Sequence, residues 1–430
     1  MSWSLDWTST LRNVLLGAGV LGVVCGVLGS FTLLRRQSLL GDALAHAALP
    51  GVCVAFLITG AKTTPALFAG ALVAGTLGAL IVLAVVRGSK VKEDSAIGIV
   101  LSVFFGFGIV LLTYIQRLPQ GNQSGLDSFL FGQAATLLAS DVRLMTWIGI
   151  AVLAVVLLFY KEFKILSFDR AYAAALGLPV RRLEVLLTCL LVVVVVLGLQ
   201  TVGVVLIVAT LVTPAAAARQ WTDRLGVMAL LAAIIGGLSG AVGAVLSAGA
   251  PRLPTGPTIV LVASVVLVGS LAFSPRRGLL WAALRDHRLR LQIRRENLLK
   301  DMYRLGEESG APRSARSLDD LCGMRGQARR FVARTLRGLA ASGLVESAGG
   351  GWSLTADGLL AAERMVRKHR IWELYLTRRL DLPSDHVHRD AEAMEHALSD
   401  DAVRDLEKAL GFPTVDPHGQ PIPPQRPEAS

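Results

Sequence analysis

The run LGVMALLAAIIGGLSGAVGAVLSAG, residues 225–249, holds 25 residues without one charged side chain. As a helix it exceeds the ~20 residues needed to cross the hydrocarbon core of a bilayer. Gly236, Gly237, Gly240 and Gly243 within it let a second helix approach closely, where lipid supplies no hydrophobic drive between helices. Working outward, apolar runs of this kind recur near 13–34, 43–60, 64–86, 96–116, 143–160, 182–200, 202–218 and 257–274. Read by hydropathy window, they make about nine spans. The fold class that follows is an all-α polytopic membrane protein over residues 1–278.

The composition agrees. Of 430 residues, 53% are hydrophobic and 17% charged, and the mean hydropathy is +0.56, too apolar for a fully solvated surface. The net charge of +11 suits an anionic membrane face and nucleic acid alike, so its distribution has to decide. In the apolar part Lys and Arg gather in alternate loops, from Arg35 and Arg36 through Arg87, Lys90, Lys92, Lys161, Lys164, Arg181 and Arg182 to Arg276 and Arg277. Cytoplasmic loops collect these residues, so an odd number of spans puts the N-terminus outside and everything after Arg277 in the cytoplasm. Cys25, Cys53, Cys189 and Cys322 are scattered without CxxC spacing, which suggests neither a zinc knuckle nor a disulfide framework. No cleavable-signal pattern opens the chain, so the first apolar segment is expected to remain as a helix.

Chemistry inside the apolar part concentrates in Gly41-Asp42-Ala43-Leu44-Ala45-His46, followed by Pro50-Gly51. Asp42 and His46 are four apart and share a helical face, so a carboxylate oxygen and an imidazole nitrogen can meet one ion. Ionisable groups at membrane depth are costly and usually face a cavity or path. The plainer reading is that Asp42 caps the helix while His46 packs against a carbonyl. Thr213-Pro214 interrupts another run, where a kinked packing helix and a pathway role are equally open. Residues 167–179, SFDRAYAAALGLP, read as a short amphipathic helix with Gly and Pro stop signals, able to dock a partner.

After Arg277 the charge rises abruptly. Residues 279–295 form a basic connector helix, equally compatible with lying on an anionic inner leaflet and with an ordinary solvated linker. From 296 to 365 the order is helix, short helix, a helix beginning near Gly326, then two short strands around Gly349-Gly350, which is a winged helix. Its third helix carries Arg329, Arg330 and Arg334, suited to phosphates and base edges, although winged helices also serve as protein-interaction modules. Within 366–411, His369 and Glu373 are four apart, and His388, Glu392, Glu395 and His396 return to one face. Mixed imidazole and carboxylate donors suit manganese, iron(II) or zinc. Residues 412–430 form a Pro-rich tail.

The runs RRQSLLGDALAHAALPG, EDSAIGIVLSVFFGFGIVL, LDSFLFG, SFDRAYAAALGLPV, VGVVLIVATLVTPAAAA and LPTGPTIVLVAS together resemble the permease family of zinc, manganese and iron ABC importers over residues 1–278. The resemblance implies a permease homodimer, a cytoplasmic ATPase and an external metal-binding protein. It places Asp42 and His46 on the metal path, and it makes Ser167, Phe168, Asp169, Ala173, Leu176 and Gly177 part of the ATPase-coupling segment. The chain has no GxxxxGK[ST] phosphate loop, so no nucleotide is expected on it and ATP hydrolysis is assigned to another polypeptide.

The tail, through MYRLGEESG, ASGLVE, MVRKHRIWELYL, HVHRDAEAMEHALSD and DPHGQPIP, resembles the diphtheria-toxin-repressor and manganese-transport-regulator family. That implies metal ligands at His369, Glu373, His388, Glu392, Glu395 and His396, with Glu392 favouring manganese. It departs at Asn297 and at Lys300, which stands where manganese-type members carry glutamate and which has no lone pair while protonated.

The expectation is therefore a non-enzymatic inner-membrane permease importing manganese or iron(II), then zinc, with a cytoplasmic metal-responsive domain. The alternative is a membrane-tethered or processed metal-dependent DNA-binding repressor. The tail has three readings: sensing metal and gating the permease, binding DNA, or strengthening the dimer.

Overall fold

The computed structural model describes residues 9–60, 64–117, 137–199, 201–249, 253–275, 277–379, 394–396 and 398–424. It divides into two compact units, Met1–Ala282 and Ala283–Ser430.

Among the described residues of the first unit, helix is the regular secondary structure. In chain order it holds α1 (Ser9–Leu34), α2 (Leu40–Thr59), α3 (Thr64–Gly88), α4 (Glu93–Arg117) and α5 (Ala139–Leu158), then the short α6 (Tyr160–Phe168) and α7 (Arg170–Ala175). After these come α8 (Val180–Leu199), α9 (Val204–Trp221), α10 (Leu225–Gly249) and α11 (Thr255–Phe273). Among the described residues, eight helices are long and apolar enough to cross a membrane: α1 to α5, α8, α10 and α11. The remaining expected span is α9, 18 residues with Pro214 inside, which packs among α1, α10 and α11.

Burial separates the bundle into layers. α1, α2 and α8 have 67%, 72% and 72% of their apolar windows buried and form the centre. The peripheral helices expose large apolar side chains such as Val73, Val103, Trp147 and Leu157, as a lipid-facing surface requires. The small-residue contacts expected in 225–249 are made with α1. A Cβ added to Gly22 would fall 2.1 Å from the Gly236 carbonyl oxygen, and one on Gly26 would fall 2.2 Å from that of Ala232. Here backbone meets backbone, and only glycine leaves the room.

The segment 167–179 is two helices rather than one. Asp169 adopts an extended conformation (φ −149°, ψ 104°) that ends α6, and its carboxylate accepts from the Tyr172 amide at 2.9 Å to start α7. A capping aspartate competes for the backbone better than it continues a helix.

The second unit starts within α12 (Leu279–Glu308) and continues with α13 (Leu318–Arg325), α14 (Arg329–Ala341), β1 (Val345–Ala348), β2 (Gly351–Leu354), α15 (Ala356–Arg379) and α16 (Asp400–Leu410). The connector and the helix expected from 296 are one 30-residue helix. A reciprocal Ser317/Asp320 capping box opens α13, and left-handed Gly326 (φ 60°) closes it, so the next helix begins at Arg329. The antiparallel hairpin pairs Val345 with Leu354 and Ala348 with Gly351. Gly349 and Gly350, both at positive φ, form the two-residue turn such a hairpin favours. Leu298, Leu299, Met302, Leu321, Val332, Leu336, Leu339, Val345 and Leu354 make one core, which is the winged-helix arrangement. Within the Pro-rich tail the Asp416 side chain accepts from the amides of His418 and Gln420, each at 2.8 Å, and buried Arg370 donates to the Pro421 carbonyl at 2.5 Å.

Candidate metal and coupling sites

Asp42 lies in the first turn of α2, where a carboxylate is favoured by the helix dipole. Leu39 is the N-cap and makes no side-chain cap, so Asp42 is not spent on capping. One turn on, His46 Nε2 stands 3.4 Å from Asp42 Oδ1, with the two side chains 16% and 34% exposed. The imidazole packs edge-on against Phe105 of α4, ring centroids 4.6 Å apart. Its Nδ1 is buried without a hydrogen-bond partner, a costly state for a polar atom unless something transient satisfies it. Pro50, inside the same helix, lacks the amide that would otherwise bond the His46 carbonyl. The pair thus offers oxygen and nitrogen donors at the edge of the bundle core, an arrangement that suits a passing cation.

A second polar centre escaped the sequence reading. Glu184 in α8 is 3% exposed and is approached by Arg87 at 2.8 Å, Arg170 at 3.2 Å and Arg35 at 3.9 Å. These cations come from the end of α3, the start of α7 and the chain just after α1. They line a cavity of about 280 Å³ with Arg36, Glu93 and Ser167. The signal was present in the sequence: Glu184 is the single acidic residue in the run 182–200. Beside it, Ala173 is fully buried while Phe168, Tyr172 and Leu176 are more than half exposed. Ser167 donates back to the Phe163 carbonyl at 2.7 Å, and Gly177 takes a positive φ of 76°.

In the second unit, the expected ligands fall into two groups. His369 Nδ1 contacts Glu395 Oε2 at 2.5 Å and His369 Nε2 contacts Glu373 Oε1 at 3.1 Å. Lys300 Nζ contacts Glu395 Oε1 at 2.5 Å. All four side chains are at most 2% exposed. Burial works against the charge of Glu395 but is outweighed by the hydrogen bond from His369 and the charge of Lys300, so its carboxyl is held below the usual range. His369 is likewise pushed down by burial and more than restored by Glu373 and Glu395, so it sits above its ordinary value. His396 Nδ1 pairs with Glu296 at 2.6 Å and His396 Nε2 stands 3.5 Å from Glu395 Oε1, while His396 Nε2 and Asn297 Oδ1 are buried without hydrogen-bond partners. His388 and Glu392 lie outside the described residues.

A divalent ion does not fit against Glu395 as the side chains stand. Both carboxylate oxygens are taken, one by an ammonium. Among the described residues no three His, Cys, Asp or Glu side chains are placed to hold a metal.

α14 buries Val332, Leu336 and Leu339 on one face and leaves Arg329, Arg330 and Arg334 exposed on the other. Arg329 pairs with Asp319 at 2.8 Å, and Arg330 lies over the Phe331 ring at 4.9 Å. Two of the three arginines thus have neighbours in the unit itself.

Comparison with known proteins covers both units. Residues 8–274 match the family model described as the ABC 3 transport family. Residues 355–424 match that of the iron dependent repressor, metal binding and dimerisation domain. The chain is 46% identical over 370 residues to a manganese transport system membrane protein, MntC, of Bacillus subtilis, covering 86% of this chain and 84% of that protein. It is 49% identical over 282 residues to the zinc transport system membrane protein TroC of Treponema pallidum, covering 66% and 95%. Among solved structures, PsaBC from Streptococcus pneumoniae in complex with Fab superposes with a TM-score of 0.57 at 35% identity, covering 64% of this chain and 95% of that one.

Proposed function

We propose a divalent-metal path through α2, and the premise is plain: the chain belongs to the ABC 3 transport family. It is a multi-pass membrane permease with a fused C-terminal domain of the metal-dependent repressor type. The observation that carries the path is the Asp42/His46 pair, with a buried, unpartnered imidazole nitrogen beside a part-exposed carboxylate. One oxygen and one nitrogen donor suit manganese, iron(II) and zinc. Relatives named for manganese and zinc transport support manganese first and zinc next.

In this reading the chain imports its ion and works with a cytoplasmic ATPase, an external metal-binding protein and a second copy of itself. The exposed apolar side chains Phe168, Tyr172 and Leu176 are the surface offered to the ATPase, braced from behind by the Glu184 cluster. The Lys and Arg bias of the loops puts the N-terminus outside and the C-terminal domain in the cytoplasm. That domain is regulatory. His396 Nε2 and Asn297 Oδ1 are buried atoms it leaves for a cation; His388 and Glu392, implied as ligands by the resemblance, lie outside the described residues. DNA contact through Arg329, Arg330 and Arg334 is the weaker assignment, since Arg329 and Arg330 already have partners in the unit.

The test is metal-by-metal uptake in a strain lacking this chain, complemented with wild type, Asp42→Ala or His46→Ala. Both variants are expected to lose manganese uptake at wild-type membrane abundance. Full uptake by both would refute the path.

A further inference from the structure

We propose that Lys300 is a built-in cation of the C-terminal unit, its ammonium holding Glu395, and through it His369 and Glu373, in place without a metal ion. The inference builds on the repressor-type reading of this unit and is independent of the transport path. A site made of two buried carboxylates and an imidazole needs positive charge, because desolvated carboxylates are too costly to bury unpaired. A bound metal meets that need from outside. Here the chain meets it from α12: Lys300 Nζ is 2.5 Å from Glu395 Oε1, and the side chains are 1% and 0% exposed. His369 takes the other Glu395 oxygen at 2.5 Å and reaches Glu373 at 3.1 Å with its second nitrogen.

The relay therefore joins three separate pieces of chain: α12, the turn at 394–396 and α15. A tethered ammonium does not dissociate, so this joint persists at any metal concentration. A divalent ion arriving at Glu395 would have to displace an ammonium whose side chain is 1% exposed. Response to metal is then left to Asn297 Oδ1 and His396 Nε2, neither of which has a hydrogen-bond partner, the latter standing 3.5 Å from Glu395 Oε1, and the Lys300 joint supplies a fixed frame beside them.

Hydrogen exchange on the full-length chain in nanodiscs tests this, reading peptides across 296–305 and 366–376 after EDTA treatment and again after adding MnCl2 or ZnCl2. In the wild type, protection of both peptides is expected to survive EDTA. In Lys300→Ala it is expected to fall about a hundredfold or more under EDTA, because one partner of a buried pair has been removed. In Lys300→Glu, which restores a carboxylate, protection is expected only when metal is present. Wild-type protection that collapses in EDTA and returns with metal would overturn the proposal without any variant. So would wild-type-like protection in Lys300→Ala. Since the peptides lie in the C-terminal unit, a failure of the Asp42/His46 path leaves this result unaffected.

Discussion

The molecule contains two carboxylate–imidazole pairs at the same helical spacing, Asp42/His46 on α2 and His369/Glu373 on α15, and they are built to opposite ends. The first is part exposed, its members 3.4 Å apart, with one imidazole nitrogen left without a partner. The second is sealed, and both imidazole nitrogens are engaged by carboxylates, one of which is bound to an ammonium. Donor chemistry alone cannot tell a transit point from a structural joint. What separates them is whether the charge is already balanced from within and whether anything can reach the lone pairs.

The comparison is broken most directly at Lys300. Replacing it with Ala leaves Glu395 buried and unpaired and should destabilise the C-terminal unit by about 3–5 kcal/mol, measured as the urea midpoint for protease cleavage of that unit in the full chain. A change below about 1 kcal/mol would mean the joint is not sealed in solution.

At the open pair, the effect should appear in transport instead. Asp42→Ala and His46→Ala should each lower manganese uptake by at least about tenfold, equivalent to roughly 1.4 kcal/mol of barrier, with little loss of folded protein in the membrane. If either variant failed to fold while uptake per folded molecule stayed normal, the pair would be a structural contact like its counterpart. Pro50→Ala sharpens the same point. It returns an amide to the His46 carbonyl, so a several-fold fall in uptake with equal or higher stability is expected in the same assay.

The smallest effect belongs to an exposed ion pair that serves as a control. Lys368 bonds Asp400 at 2.7 Å, with Asp400 57% exposed, and this hydrogen bond holds the carboxyl below its ordinary value of 3.8. A depressed carboxyl stabilises the fold above its unfolded value, and that contribution is lost as the pH falls through the folded one. Asp400→Asn should therefore cost only roughly a few tenths of a kcal/mol near neutral pH. The difference from wild type should vanish in acid, as read from urea midpoints at a series of pH values.

Much of this was legible in advance because it depends on local pattern. Apolar length located the membrane helices. The helix start near Gly326 and the Gly349-Gly350 turn marked out the winged helix. The four-residue spacings of Asp42/His46 and His369/Glu373 picked out both pairs. The break at Asp169 was less visible, since an aspartate inside SFDRAYAAALG reads as helical surface until its extended backbone shows it to be a cap. Glu184 was visible as a lone carboxylate in an apolar run, but its three arginines come from three other places in the chain, and no local window contains them.

The sequence by itself determined which candidate donors share a helical face, because helical periodicity fixes which side chains stand together. The resemblance to the repressor family implied in addition that Lys300 stands where a ligand was expected. Tertiary structure alone decided how each set is engaged. Whether an imidazole nitrogen is orphaned or engaged, and whether an ammonium 95 residues away closes on a glutamate, depends on which distant helices pack together and how completely they exclude water.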